Sequence, residues 1–271
     1  MNGASREALA AARERLDALT DNTSVDAAQL ATELAAVTAL LDREVSLRRV
    51  LTDPAQSGEA KAELAQRLLG TRISGTAADL VVGLVRSRWS QSRDLVDALE
   101  QLADVADLTA AQRAGTLDDV EDELFRFGRI VASNVELRAA LTDRKATASA
   151  KGELLRSLLG GRADAATERL VTRLVTAPRG RSLEAGLESL SKLAAARRDR
   201  MVAVVTSAVP LSAPQRQRLG AALAKLYGRT MHLNLDVDPE VLGGIRVQVG
   251  DEVINGSLAD RIEDVARRMA S

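Results

Sequence analysis

Residues 45–70 read VSLRRVLTDPAQSGEAKAELAQRLLG, and residues 135–160 read VELRAALTDRKATASAKGELLRSLLG. The two stretches align without a gap at an offset of 90 residues. Apolar identities include Val45/Val135, Leu47/Leu137, Leu51/Leu141, Leu64/Leu154 and Leu68/Leu158. Polar positions match as well: Arg48/Arg138, Asp53/Asp143, Lys61/Lys151 and Glu63/Glu153. Shared amphipathicity alone would repeat the apolar positions and leave the charges free to differ, so a helical module is duplicated here.

The offset persists beyond the quoted stretches, pairing Leu80, Val81, Leu84 and Val85 with Leu170, Val171, Leu174 and Val175. After a two-residue deletion, Leu95, Leu99 and Leu102 pair with Leu183, Leu187 and Leu190. The helix expected over about 93–107 therefore closes the first copy and, by its position, opens the second. The two bundles either share it or abut through it.

Working outward, apolar residues recur at helical spacing up to about residue 200. Leu30, Leu34, Val37 and Leu41 form one stripe; Leu117, Val120, Leu124, Phe127 and Val131 form another. TDPAQSG, GTRISGT, GGRADA and APRGR punctuate them with turn formers. From residue 201 the period changes. MVAVVTSAV is rich in β-branched residues, and TMHLNLDVD and IRVQVG alternate apolar with polar. SAPQRQRLGAALAKLYG reads as a helix with Ser212 as its N-cap, EVIN as a short strand, and LADRIEDVARRM as a helix striped by Leu258, Ile262, Val265 and Met269. The expected fold is mainly α: two related helical bundles followed by a small α/β (βαββα) domain. The expected boundaries are 1–92, 93–199 and 200–271.

Composition narrows the function. The 271 residues carry 37 Lys plus Arg against 38 Asp plus Glu, a net charge of −1. With one Trp, one Tyr and two Phe, there is neither the basic surplus to neutralise a phosphate backbone nor the aromatics to stack bases, so no nucleic-acid partner is expected. The absence of cysteine excludes disulfides, thiolate metal sites and a thiol nucleophile. No run of 18 apolar residues occurs and the start is charged rather than signal-like. The reading is thus an intracellular, soluble chain that meets membranes only through partners.

Each candidate for chemistry has a plainer reading. Gly243, Gly244, Gly250 and Gly256 do not follow the G-x-G-x-x-G pattern. They flank an alternating strand and a Gly–Asp turn, which points to a hairpin rather than a phosphate loop. His232 is the only histidine and lies on the polar side of a strand, without a second imidazole or a thiolate to complete a metal site. Asp118, Asp119, Glu121, Asp122 and Glu123 crowd one helix start, where they complement the dipole. Trp89 in RSRW reads as a helix-end residue at the junction of the copies, or else as a partner anchor. Arg197, Arg198 and Arg200 read as a solvated linker, or else as a phosphate contact. No catalytic constellation, cofactor site or metal site emerges. Amphipathic helices remain, and these suit binding partner helices in apolar grooves.

The residues NVELRAALTD (134–143), SAKGELLRSLLGG (149–161), VTSAVPLSAPQRQRL (205–219) and VDPEVLGGIRVQVGDEVINGSLADRIEDV (237–265) resemble a known family. It is the delta subunit of the bacterial F-type ATP synthase, equivalent to the mitochondrial oligomycin-sensitivity-conferring protein. The last stretch carries the signature positions Asp238, Pro239, Gly243, Gly244, Arg246, Gly250, Asp251, Ile254, Gly256 and Ser257. The resemblance runs from about residue 93 to the end and implies a non-catalytic peripheral-stalk, or stator, subunit without cofactor.

By this resemblance, residues 93–199 are a six-helix bundle capping the catalytic head through the N-terminal helices of the alpha subunits. Residues 200–271 engage the membrane-anchored b-type stalk, and the chain sits peripherally on the cytoplasmic face of the bacterial membrane. The family's groove between its first and fifth helices implies Leu95, Val96, Leu99 and Leu102 facing Leu170, Leu174 and Val175. Members of that family usually have one bundle, so residues 1–92 are an extra copy. The rival readings are a generic helical-repeat adaptor, which calls for further stacked copies, and an enzyme, which calls for turnover by the chain alone.

Overall fold

In the computed structural model, the described residues are 2–21, 24–198, 201–227, 231–238, 244–249 and 252–255. They fall into two compact units that divide between Arg197 and Arg198.

The first unit is all helical. Its elements are α1 (Gly3–Asp21), α2 (Ala27–Arg43), α3 (Val45–Thr52), α4 (Gly58–Leu69), α5 (Gly75–Arg86), α6 (Ser92–Ala114), α7 (Leu117–Ser133), α8 (Val135–Thr142), α9 (Ala148–Leu159), α10 (Ala165–Thr176) and α11 (Leu183–Arg198). Adding 90 to the bounds of α2, α3, α4 and α5 gives those of α7, α8, α9 and α10 to the residue. The reason is visible at the helix starts, where the caps repeat with the sequence. Ser57 Oγ accepts from the Ala60 amide and Thr147 Oγ1 from the Ala150 amide, each at 3.1 Å. Asp53 and Asp143 each fold the preceding turn by accepting an amide two residues on.

Burial repeats in the same way. Leu30/Val120, Leu34/Leu124, Leu41/Val131, Leu51/Leu141, Leu80/Leu170 and Leu84/Leu174 are all buried pairs. They nonetheless build two separate cores, the first from α1 to α6 and the second from α6 to α11. Helix α6 serves both: Leu95, Val96, Leu99, Leu102 and Ala106 lie in the first core, and Leu108 and Ala111 in the second. At 23 residues it spans about 35 Å, long enough to leave one core and enter the next. It ends on Gly115, whose φ of 75° lets the chain turn in the left-handed region. The helix that the sequence left open between sharing and abutment is shared.

The second unit contains β1 (Met201–Ser207), α12 (Ala213–Tyr227), β2 (Met231–Val237), β3 (Ile245–Val249) and β4 (Glu252–Asn255). The sheet order is β2-β1-β3-β4. β1 runs parallel to β2 through the α12 crossover, while β3 is antiparallel to both β1 and β4. Val205, Leu223, Val247 and Val249 form the core of this unit. At the start of α12, Gln215 Oε1 accepts from both the amide and the hydroxyl of Ser212, the return half of a capping box. The helix read over 258–269 lies outside the described residues.

Candidate partner-binding site

Within the first unit, a cleft of about 530 Å³ opens between α2 of the first copy and α9 and α10 of the second. Thr32, Ala35, Ala39 and Asp42 line one side, and Leu155, Leu159, Thr172 and Thr176 the other. These positions recur every three or four residues, so each wall is one face of a helix. The exposed surface of the lining is mostly apolar, but charged side chains from Asp42 and Glu168 to Arg156 and Arg179 also take part in it.

Glu100 of α6 also lines the cleft and belongs to an acidic stripe that runs down that helix. Asp94, Glu100, Asp104 and Asp107 are all buried. Each has a cationic or hydrogen-bonding partner. Asp94 accepts from Ser5 Oγ at 2.7 Å. Glu100 pairs with Arg181 at 2.6 Å and with Arg179. Asp107 receives Arg169 and Arg173, both at 2.6 Å, and Arg173 reaches Asp104 at 3.0 Å. Arg179 holds a φ of 46° in the loop before α11, a left-handed conformation unusual for a side chain of this size.

Burial dominates the electrostatics of this cluster. It pushes the Asp104 carboxyl up to about 6, against the pull of Arg173. Burial would lower Arg173, yet the carboxylates of Asp104 and Asp107 raise it above the usual arginine value. The half-buried Asp97 is likewise raised by burial, despite the attraction of Arg179 and Arg93. Two carboxylates and two guanidiniums thus lock α6 to α10 beside the cleft.

The structure sorts the residues singled out in the sequence. Leu95, Val96, Leu99 and Leu102 lie in the first core, whereas Leu170, Leu174 and Val175 lie in the second, and none is more than 5% exposed. The two sets do not face each other across an open groove. Trp89 is buried in the first core, where its Nε1 donates to the Leu84 carbonyl at 2.8 Å and closes the end of α5. Arg197 departs from the linker reading. It is buried, pairs with Asp17 at 2.6 Å and donates to Gln112, tying α11 to α1 and α6. A basic run looks solvated from its neighbours alone, and a partner 180 residues away reverses that.

In the second unit, His232 pairs opposite Val202 on β2. Gly244 has a φ of 92°, Arg246 pairs with Thr206 and Asn255, and Ile254 with Val247. The Asp238 amide donates to the Ser207 carbonyl at 3.0 Å. Pro239, Gly243, Gly250, Asp251, Gly256, Ser257 and Arg200 lie outside the described residues. The antiparallel pairing of β3 with β4, from Val249 opposite Glu252, is the hairpin that the glycine spacing suggested.

Two functional tethers escaped the sequence reading. Glu33 on α2 accepts from Ser74 Oγ, the N-cap of α5, at 2.5 Å. In the second copy Glu123 on α7 accepts from the Asp164 amide at 3.0 Å and from Thr167 Oγ1 at 2.6 Å, at the start of α10. The signal was available, since Glu33 and Glu123 stand 90 residues apart.

Among the described residues, no group of three or more His, Cys, Asp or Glu could hold a metal ion, and no helix is long and apolar enough to cross a membrane. Within the first unit, a buried ionic lock lies beside a cleft whose walls are helices. Residues 105–269 match the family ATP synthase delta (OSCP) subunit, and the chain belongs to that family. It is a structural peripheral-stalk component of the ATP synthase and not itself a catalytic subunit.

Among relatives called "ATP synthase subunit delta", that of Streptomyces coelicolor is 84% identical, over 100% of this chain and 99% of its own. That of Streptomyces avermitilis is 82% identical over the same shares. That of Thermobifida fusca is 50% identical over the whole of both chains. The first copy lies outside the family match yet inside all three of these alignments, so these relatives share it.

Proposed function

We propose that the chain acts as a clamp of the stator. Its first unit holds the catalytic head through N-terminal helices of the alpha subunits, and its second unit engages the b-type stalk on the cytoplasmic face of the bacterial membrane. The observation that carries this reading is the cleft along α10, with helical walls, a mostly apolar exposed lining and a buried ionic lock beside it. Rotary catalysis needs the head held while the shaft turns, and a buried helix face provides the hold without any reacting group. An apolar contact contributes about 25 cal/mol per Å² before association costs.

The proposed groove is walled by α2, α9 and α10, with α6 behind it, rather than formed between α6 and α10 alone. Leu95, Val96, Leu99, Leu102, Leu170, Leu174 and Val175 set the spacing of α6 and α10 from within the cores, and Ala39, Thr172 and Thr176 meet the partner. A peptide of the alpha-subunit N-terminus should co-elute with the chain. Ala39→Glu or Thr172→Glu should weaken binding at least tenfold while leaving the helical circular-dichroism signal unchanged. Undiminished binding by both variants would remove the cleft from the interface.

A further inference from the structure

We propose that the hollow at the start of α4, in the first copy, is a binding site for a phosphate group, free or carried on a small molecule. The hollow measures about 550 Å³ and is lined by Ser57, Gly58, Lys61, Arg86, Arg88 and Trp89, among others.

Lys61 is one of three cations in the lining, with Arg86 and Arg88. Its side chain is buried, with the residue 5% exposed, and its Nζ donates to the Ser87 carbonyl at 3.3 Å. No carboxylate among the described residues lies within ion-pair distance of it. Burial lowers its affinity for the proton, Asp53 opposes that, and Arg88 adds to it. An ammonium with two donors to spare beside a cavity, with Asp53 beyond ion-pair distance, has room for a closer anion.

The rest of the lining supplies what a phosphate needs. Arg88 is exposed and has no partner among the described residues. Arg86 lies at the rim, held only at 3.7 Å by the exposed Glu59. Gly58 begins a helix of 12 residues, whose first amides and dipole favour an anion. A Cβ on Gly58 would come within 3.3 Å of the Arg86 carbonyl, so the glycine lets α4 pack closely on the end of α5 and brings Arg86 to the hollow.

The second copy provides the control. Its Lys151 is buried too, but the positions of Arg86, Arg88 and Trp89 are taken there by Thr176, Pro178 and Arg179. Shared scaffold accounts for the lysine; it does not account for the two arginines and the tryptophan around it in the first copy alone.

Trp89 is the only tryptophan of the chain, so its emission reports on the hollow directly. The full chain is titrated with inorganic phosphate, with AMP and with acetate, at constant ionic strength in chloride. Phosphate should give a saturable change. Lys61→Met and Arg88→Ala should each weaken it at least tenfold, and Lys151→Met should leave it unchanged. Tighter binding of AMP than of phosphate would mark a phosphate carried on a larger molecule; equal affinities would mark the free ion. Should Lys61→Met fail to fold, Arg88→Ala decides alone, because Arg88 is exposed and makes no hydrogen bond or ion pair among the described residues. A response that is absent, that acetate reproduces, or that survives Arg88→Ala at full affinity overturns the site.

Discussion

The two copies of the module place different residues at one seam. Between α1 and α5 of the first copy stand Glu14, Asp17, Asp79 and Gly83. At the equivalent positions between α6 and α10 of the second stand Asp104, Asp107, Arg169 and Arg173. In the second copy this arrangement gives two buried carboxylates answered by two arginines. In the first, Arg15 meets Asp79 only at 3.9 Å and in solvent, a pair worth little, while Asp17 turns instead to Arg197 at the end of the second copy. Two modules with one scaffold have thus diverged where they lean on each other. The apolar positions are held in common, and the buried charges are used to join the copies.

The comparison breaks most readily at Arg173. Replacing it with Met leaves Asp104 and Asp107 buried with Arg169 alone, which should cost about 3–5 kcal/mol of unfolding free energy in urea. A loss below about 1 kcal/mol would mean that the ionic seam contributes no more than its exposed counterpart. The tethers at the fifth helix of each copy sharpen the contrast. Glu123→Ala removes a carboxylate that accepts from two donors and should cost about 2 kcal/mol; Glu33→Ala removes one bond and should cost about 1 kcal/mol. Equal losses would show that the two copies use this tether alike.

The smallest effect is a pH dependence. Asp104 is raised in the fold from its ordinary value to about 6, so the native state holds a proton that the unfolded chain has already released. Stability from this group is therefore full below about pH 4 and is lost as pH rises through 6. Between pH 5 and pH 7 the wild type should lose about 1 kcal/mol relative to Asp104→Asn. Parallel stability curves would place the Asp104 carboxyl back in the usual range.

Much of this was readable from the letters. The repeat fixed α7 to α10 once α2 to α5 were placed, because caps, turn aspartates and buried leucines recur together. Alternation and turn chemistry likewise announced the four strands. The stripe Leu95, Leu99, Leu102 announced burial without saying in which core, since periodicity records a helix face and not what covers it. Asp104, Asp107, Arg169 and Arg173 carry the right spacing on two helices, but a helix with charges every third or fourth residue looks the same on a solvated surface. Arg197 was misread for the same reason. The cleft could not be seen at all, because α2 and α10 meet only once both copies are packed on α6.

That common helix has a mechanical consequence. A pull applied to either copy enters a continuous ladder of backbone hydrogen bonds and arrives at the other without crossing a loop. No cut between residues 92 and 114 could release one half intact, since each would forfeit a wall of its own interior. The duplicated segment is therefore less a bead on a string than a splint bonded along the grain, stiffening the first unit from one copy to the other.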